Sequence, residues 1–437
     1  MNLGSLDDLR NLCHLWTKSA QQDCSSGLDA LLSTIDASVA RILRAAIEGR
    51  EIDYDDGLTL AKTTGREIDA LVLAADLVRS ERVGDVITYV VNRNVNFTNV
   101  CFVGCRFCAF SRAPREGDAY FLPLEEIAHR SREAWDRGAR EVCVQGGLPR
   151  GLDPFYYRDI LRTIRNATPG MHIHAFSPME IVYGVELTGM PLRDYLAMLK
   201  DAGLDTLPGT AAEILDDAVR HDIERIKLSV AEWVDVITAA HGLGIRTTST
   251  MMYGHAETEE HWVRHLLLLR GIQKRTGGFT EFVPLGFVHQ NTQLYKSGDA
   301  RPGPTREEHL KVHALARLLL QGWIDNIQVS WVKMSAGMTG DCLRAGANDY
   351  GGTLMDENIS RLAGATSGQY LAPGEIRRRI RQLNRIPAER NTVYSSIAVF
   401  DDDEIRETPE RFPDAAPPLV TLNHSQPARI PPIPAAD

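Results

Sequence analysis

No run of apolar residues in this sequence approaches the ~20 needed to cross a bilayer, and the first residues, MNLGSLDDLR, hold no basic segment followed by an apolar stretch. Neither a membrane span nor an export leader is expected, and a cytoplasmic location is. Positive charge is in deficit: 48 Lys and Arg face 58 Asp and Glu, a formal net charge of -10. Broad binding to nucleic acid or to an anionic membrane needs a positive field, so small molecules are the expected ligands. Cysteine is sparse. Seven in 437 residues, an odd number without an export signal, do not make a disulfide framework, which leaves reduced thiols available as ligands. Also missing are a tandem repeat and a lysine in a Schiff-base setting, which sets aside a pyridoxal-phosphate barrel.

What is present is a chain long enough, at 43% hydrophobic composition, to bury a large core. Residues 1–85 read as a helical N-terminal extension, with Val39, Ile42, Leu43, Ala46 and Ile47 on one apolar stripe and Ile68, Leu71, Val72, Ala75 and Val78 on another. From about residue 86 short β-rich runs alternate with helical segments: VNFTN, EVCVQGG, HIHAFS, DTLPG, RTTSTMMYG, TEFVPLGF, NIQVSW and GGTL make eight. Ser229 with Glu232, and Thr305 with Glu308, match the S/T-x-x-E capping box and place two helix starts. Eight βα units over 86–365 match the ~250 residues of a TIM-type (β/α)8 barrel, the preferred α/β architecture, although an open doubly wound sheet gives a similar alternation. A C-terminal helical segment is expected over 366–412. Residues 413–437, rich in proline and without periodicity, read as a disordered tail.

The stretch CFVGCRFC places Cys101, Cys105 and Cys108 just after the first β run, at the carboxyl end of a strand, where α/β active sites are built. A structural zinc site would need a fourth ligand, usually from a second CxxC pair, and none is present. Three thiolates can instead hold three irons of a 4Fe-4S cluster and leave the fourth open. A zinc-binding scaffold remains the competing reading.

C-x3-C-x-Φ-C, with Phe107 before the last cysteine, resembles the signature of radical S-adenosylmethionine enzymes. The resemblance implies a full or partial TIM barrel and an open iron chelated by the amino and carboxylate groups of S-adenosylmethionine, with Phe107 beside the cofactors. It also gives Gly146 and Gly147, at the end of the second strand, a role at the methionyl amino group; an ordinary tight βα turn would use the same glycines. Glu213, in LPGTAAEILDD, becomes a contact to the ribose or methionyl part, or else a solvent-facing glutamate of a helix's first turn. If the fifth strand ends near Met252, then Tyr253 and His255 of TMMYGHAET face the barrel mouth, His255 as a proton carrier or as a structural histidine. His174, Ser177 and Glu180 of HAFSPMEI are candidates for hydrogen bonds to a polar heterocycle.

Read together, NFTNVCFVGCRFCAFSR, EVCVQGG, HIHAFSPMEI, LPGTAAEIL, TTSTMMYGHAET and GGTLMDENISRLAGA resemble the second-subunit family of FO synthase, of deazaflavin (coenzyme F-420) biosynthesis, over about residues 50–395. The resemblance implies cleavage of L-tyrosine between Cα and Cβ, release of 2-iminoacetate, and transfer of the 4-hydroxybenzyl group to carbon 5 of 5-amino-6-(D-ribitylamino)uracil. It further implies a reduced flavodoxin or ferredoxin as electron donor and the other FO synthase subunit as partner, since the chain holds one cluster motif. Dehypoxanthine futalosine cyclase and aminofutalosine synthase, of the menaquinone pathway, share the barrel and the cysteines and are the alternative.

Overall fold

The computed structural model of the chain describes residues 27–226 and 228–401. Residues 1–26 of the expected extension, and the expected tail 413–437, lie outside the described residues. The lead-in is helical, at 27–32 and then over α1 (Ala37–Ile47), α2 (Tyr54–Ala61) and α3 (Arg66–Val83). Asp36 starts α1 by accepting the N–H of Ser38 at 2.8 Å, and the apolar stripes of α1 and α3 are buried where expected.

The β and α elements then alternate. In order they are β1 (Val86–Val90), β2 (Asn92–Val95), α4 (Leu124–Asp136), β3 (Glu141–Val144), α5 (Tyr156–Ala167), β4 (His172–Ala175), α6 (Pro178–Thr188) and α7 (Leu192–Asp201). Next come β5 (Thr206–Leu207), α8 (Asp217–Ile223), α9 (Val230–Gly242), β6 (Arg246–Tyr253), α10 (Glu259–Thr276), β7 (Phe279–Gly286), α11 (Gln293–Lys296) and α12 (Arg306–Leu320). The last are α13 (Ala336–Leu343), β8 (Asp349–Gly352), α14 (Ile359–Ala363), α15 (Pro373–Arg381), β9 (Ile386–Arg390) and β10 (Ser396–Val399). Both expected capping boxes form, at Ser229 of α9 and Thr305 of α12.

Strands β2 to β7 form one parallel sheet in sequence order. It curls because the sheet twists, and its edges meet through single bridges: Phe282 to Ile327, Gln328 to Asp349, and Arg93 to Met355. With β8 paired to β1, and β1 and β2 forming nearly one segment, the ring of parallel pairings closes. Residues with one parity face the helices; Val142, Val144, Ile173 and Ala175 are buried there. The other parity faces inward and is polar. Asn92, Glu141, His172, His174, Thr206 and Glu281 point into the barrel, tied by bonds such as Asn92 Nδ2 to Glu141 Oε1 at 2.9 Å and His174 Nδ1 with Thr206 Oγ1 at 2.7 Å.

The expected helical segment 366–412 is corrected over its described part, and 402–412 lie outside the described residues. Over 366–401 it is helical only in α15, after which β9 runs parallel to β1 and turns into β10. This hairpin seals the amino-terminal end of the barrel. Arg390 donates to Asp349 at 2.5 and 3.1 Å, Tyr394 Oη donates to Glu281, and Thr392 Oγ1 donates to Glu141 at 2.7 Å. Among the described residues no helix is long and apolar enough to cross a membrane.

Candidate active site

The loop after β2 carries the three cysteines over the carboxyl end of the barrel. It is held from several sides: Cys101 N–H donates to Arg112 O at 3.1 Å, Phe102 N–H to Leu148 O at 3.0 Å, and Arg106 N–H to Ile223 O at 3.0 Å. The Arg106 guanidinium also reaches Asp222 O at 2.9 Å and pairs with Asp299, so the loop is clamped between α8 and the segment after α11. Gly104 takes φ +69°, a conformation that a residue with a Cβ rarely adopts, where the chain reverses between the first two cysteines.

All three cysteines line one cleft of about 230 Å³, together with Gln145, Gly146, Gly147, Ser177, Glu180, Thr210 and Glu213. The glycines are required by close approach. A Cβ on Gly147 would lie 2.2 Å from Val100 O, and one on Gly146 would lie 2.5 Å from the Phe97 ring. Glu180 orients the turn: its Oε1 accepts the Gly146 N–H at 3.0 Å while its Oε2 accepts the Ser177 N–H and hydroxyl, each at 2.7 Å, completing the capping box of α6. Next to Thr210, which accepts the Gln145 side-chain N–H at 2.6 Å, Ala211 and Glu213 both sit at positive φ, +60° and +38°, strain of the kind that gathers at ligand sites.

Of the residues singled out in the sequence, Cys101, Cys105, Cys108, Gly146, Gly147, Glu213, Ser177 and Glu180 are brought to this cleft. Phe107 packs against the core beside it. His174 lies deeper, inside the barrel, where burial pushes its imidazole down to about 4 and keeps it neutral. The expected placement of Tyr253 and His255 at the mouth is corrected. β6 carries Met252 inward, so Tyr253 turns outward between α10 and α12, its hydroxyl 2.6 Å from His309 Nδ1. His255 is fully buried, Nε2 3.0 Å from Met252 O, beside Glu257, and does not line the cleft.

The sequence reading missed a polar group next to the cleft. Asn94 Nδ2 donates to Glu357 Oε2 at 2.6 Å, Ser360 N–H donates to Glu357 Oε1 at 2.7 Å, and Lys333 Nζ donates to Ser360 Oγ at 3.0 Å. The signal was there: Lys333 follows the NIQVSW run, at a strand's carboxyl end. Ala211 gave none, since nothing in its side chain announces a left-handed backbone.

The residues present fit an iron–sulfur cluster. Thiolate sulfur is the soft donor that iron–sulfur chemistry uses, and three such donors share one cleft floored by glycines. Among the described residues no three His, Cys, Asp or Glu side chains converge on the single point that one metal ion would need. A cubane instead takes one thiolate on each of three irons.

Residues 95–269 match the model of the radical SAM superfamily, and 276–402 match that of the CofH/MqnC C-terminal region. The chain is 51% identical over 364 residues to an FO synthase of Nocardia farcinica, covering 83% of this chain and 42% of that protein. It therefore spans less than half the length of the FO synthases that it matches. It is 50% identical over 357 residues to the 5-amino-6-(D-ribitylamino)uracil--L-tyrosine 4-hydroxyphenyl transferase of Methanothermobacter thermautotrophicus, covering 82% of this chain and 97% of that one. Among solved structures it shares the fold of HydG, a maturase of the [FeFe]-hydrogenase, with a TM-score of 0.65 at 15% identity over 85% of this chain and 80% of that one. The superfamily implies a 4Fe-4S cluster and S-adenosylmethionine, and the spacing of Cys101, Cys105 and Cys108 fits its motif. The chain belongs to the radical SAM superfamily, in the branch that carries the CofH/MqnC C-terminal region.

Proposed function

We propose that this enzyme cleaves L-tyrosine between Cα and Cβ and joins the 4-hydroxybenzyl group to carbon 5 of 5-amino-6-(D-ribitylamino)uracil, with release of 2-iminoacetate. The observation that carries the reading is near-complete coverage of the tyrosine 4-hydroxyphenyl transferase at 50% identity, joined to a cysteine-lined cleft that opens on a polar barrel. The curated relatives favour this reading over the menaquinone-pathway alternative. A cluster with bound S-adenosylmethionine supplies, on one-electron reduction, methionine and a 5′-deoxyadenosyl radical.

The chain's own residues do the rest. Cys101, Cys105 and Cys108 hold the cluster on the clamped loop. Gly146 and Gly147 let backbone approach the methionyl amino group, and Glu180 holds that turn in place. Glu213, in the lining of the same cleft, contacts the same ligand, with Phe107 packed against the core beside it. The inward polar residues, His174 and Thr206 among them, offer the two substrates hydrogen-bonding partners, and enclosure within a barrel would protect a carbon radical from stray hydrogen donors. Ser177 has its hydroxyl committed to Glu180 and supports the cleft wall. We assign Tyr253 and His255 no contact with the reacting atoms. The proposed partners are the other FO synthase subunit, whose activity closes the deazaflavin ring, and a reduced flavodoxin or ferredoxin.

The test is anaerobic incubation of the reconstituted enzyme with S-adenosylmethionine, reductant, L-tyrosine and the ribitylaminouracil, followed by mass spectrometry. The adduct and 5′-deoxyadenosine are expected only when both substrates are present. Turnover of a futalosine-type substrate with none of the tyrosine adduct would overturn the reading.

A further inference from the structure

Lys333 sits on a single 3-10 turn, Trp331–Lys333, just after the bridged residues Ile327 and Gln328 that help close the ring. The turn is anchored: the Trp331 indole N–H donates to Gly352 O at 2.8 Å, and Lys333 N–H donates to Ser330 O at 3.0 Å. Its ammonium thereby comes within electrostatic reach of Cys108, Glu213 and Glu357, which are carried by loops that follow three other strands. Among the described residues its hydrogen bond goes to a neutral partner, Ser360 Oγ, and Ser360 adjoins Ile359, which lines the cysteine cleft. Lys333 itself is not a lining residue of that cleft. It stands just beyond, so a ligand reaching it is the neighbour of whatever fills the cleft.

An ammonium has three donors, and this one spends one of them on a hydroxyl. A half-buried cation whose hydrogen bond goes to a neutral hydroxyl keeps two donors for an anion that reaches it. Burial pushes the Lys333 ammonium down, while Glu357 and Glu213 pull it back up. The cleft wall, with Glu180 and Glu213, is acidic and suits the ammonium and sulfonium groups of a nucleoside cofactor; the missing anion belongs to the second ligand.

We infer that Lys333 binds the carboxylate of the amino-acid substrate and so sets the reach of its amine and Cα toward the cleft. This rests on the proposed use of L-tyrosine. Ser360, itself held by Glu357, keeps the ammonium in place, and the tie from Glu357 to Asn94 links this anion site to the barrel wall. No bond is made or broken at Lys333; it is a substrate-binding residue.

The experiment uses the reconstituted holoenzyme and the variants Lys333→Gln and Lys333→Arg, with L-tyrosine and with tyramine, which keeps the ring and amine and lacks the carboxylate. Lys333→Gln should raise the KM and Kd for L-tyrosine roughly 10- to 100-fold, the worth of one charge-assisted hydrogen bond. The Kd for tyramine, the KM for the ribitylaminouracil and the Kd for S-adenosylmethionine should stay within about twofold. Lys333→Arg should recover most of the loss. Unchanged tyrosine binding in Lys333→Gln overturns the inference, as does an equal loss for tyramine or a loss confined to S-adenosylmethionine. A wild-type enzyme that binds no L-tyrosine defeats the functional reading itself and takes this assignment with it.

Discussion

At Gly147 the chain has no room for one more methyl group. A Cβ there would meet the carbonyl oxygen of Val100, in the residue before Cys101, at 2.2 Å. Backbone cannot swing aside as a side chain can, so Gly147→Ala should push the first ligand of the cysteine loop out of place. Iron content after anaerobic reconstitution is expected to fall by more than half while the far-ultraviolet circular dichroism stays as in the wild type. Cys105→Ala removes a proposed ligand outright. It should abolish both the iron–sulfur absorbance and 5′-deoxyadenosine formation, again with the fold kept; retained 5′-deoxyadenosine would contradict the ligand assignment. The cysteines were legible from spacing alone, because three thiols within eight positions with no partner pair have few other uses. Tyr253 and His255 were not. Their expected orientation depended on which residue ends β6, and with side chains alternating at every step a shift of one residue exchanges barrel interior for helix shell.

Among the elements, β9 carries the charge that the barrel bottom needs. Arg390 lies against Asp349 of β8 and Glu281 of β7, with Tyr394 also on Glu281 and Glu141 nearby. Arg390→Met would leave these buried carboxylates without their cation and should cost about 3–5 kcal/mol of stability, measured by denaturant unfolding. Glu281 is pushed up to about 7, first by burial and then by Asp349, against the pull of Arg390. A carboxyl whose folded value is raised binds its proton more tightly in the folded state. Its contribution is therefore full below its ordinary value of 4.5 and is lost as the pH rises through about 7. Glu281→Gln should flatten that part of the profile, seen as a smaller fall in unfolding midpoint between about pH 5 and about pH 8. A slope identical to that of the wild type would show that Glu281 does not titrate in this range. The β9–β10 hairpin escaped the sequence reading because IPAER is short and contains a proline, and it becomes a strand through pairing with β1, about three hundred residues earlier in the chain. Local propensity carries no record of such a partner. Most of the barrel runs, by contrast, announce themselves by β-rich composition and a following helix, although NIQVSW makes only single bridges at Ile327 and Gln328 and VITYV, which forms β1, was not counted among them.

For the molecule as a whole, closure of the ring and sealing of its lower end are separate jobs. The ring closes through β8 and the bridges at Phe282 and Gln328, all before residue 386, whereas the seal lies wholly after it. Truncation after Arg385 should therefore lower the unfolding temperature strongly, and water should reach Glu281 and Asp349. Hydrogen exchange of the amides of β1 and β8 would rise with it. A truncated chain as stable as the full one would mean that the hairpin is ornamental.

A vessel stoppered underneath can be filled only through its neck. In this enzyme the neck is the very place where the nucleoside cofactor is proposed to lodge, so cofactor, substrates and adduct all share a single doorway.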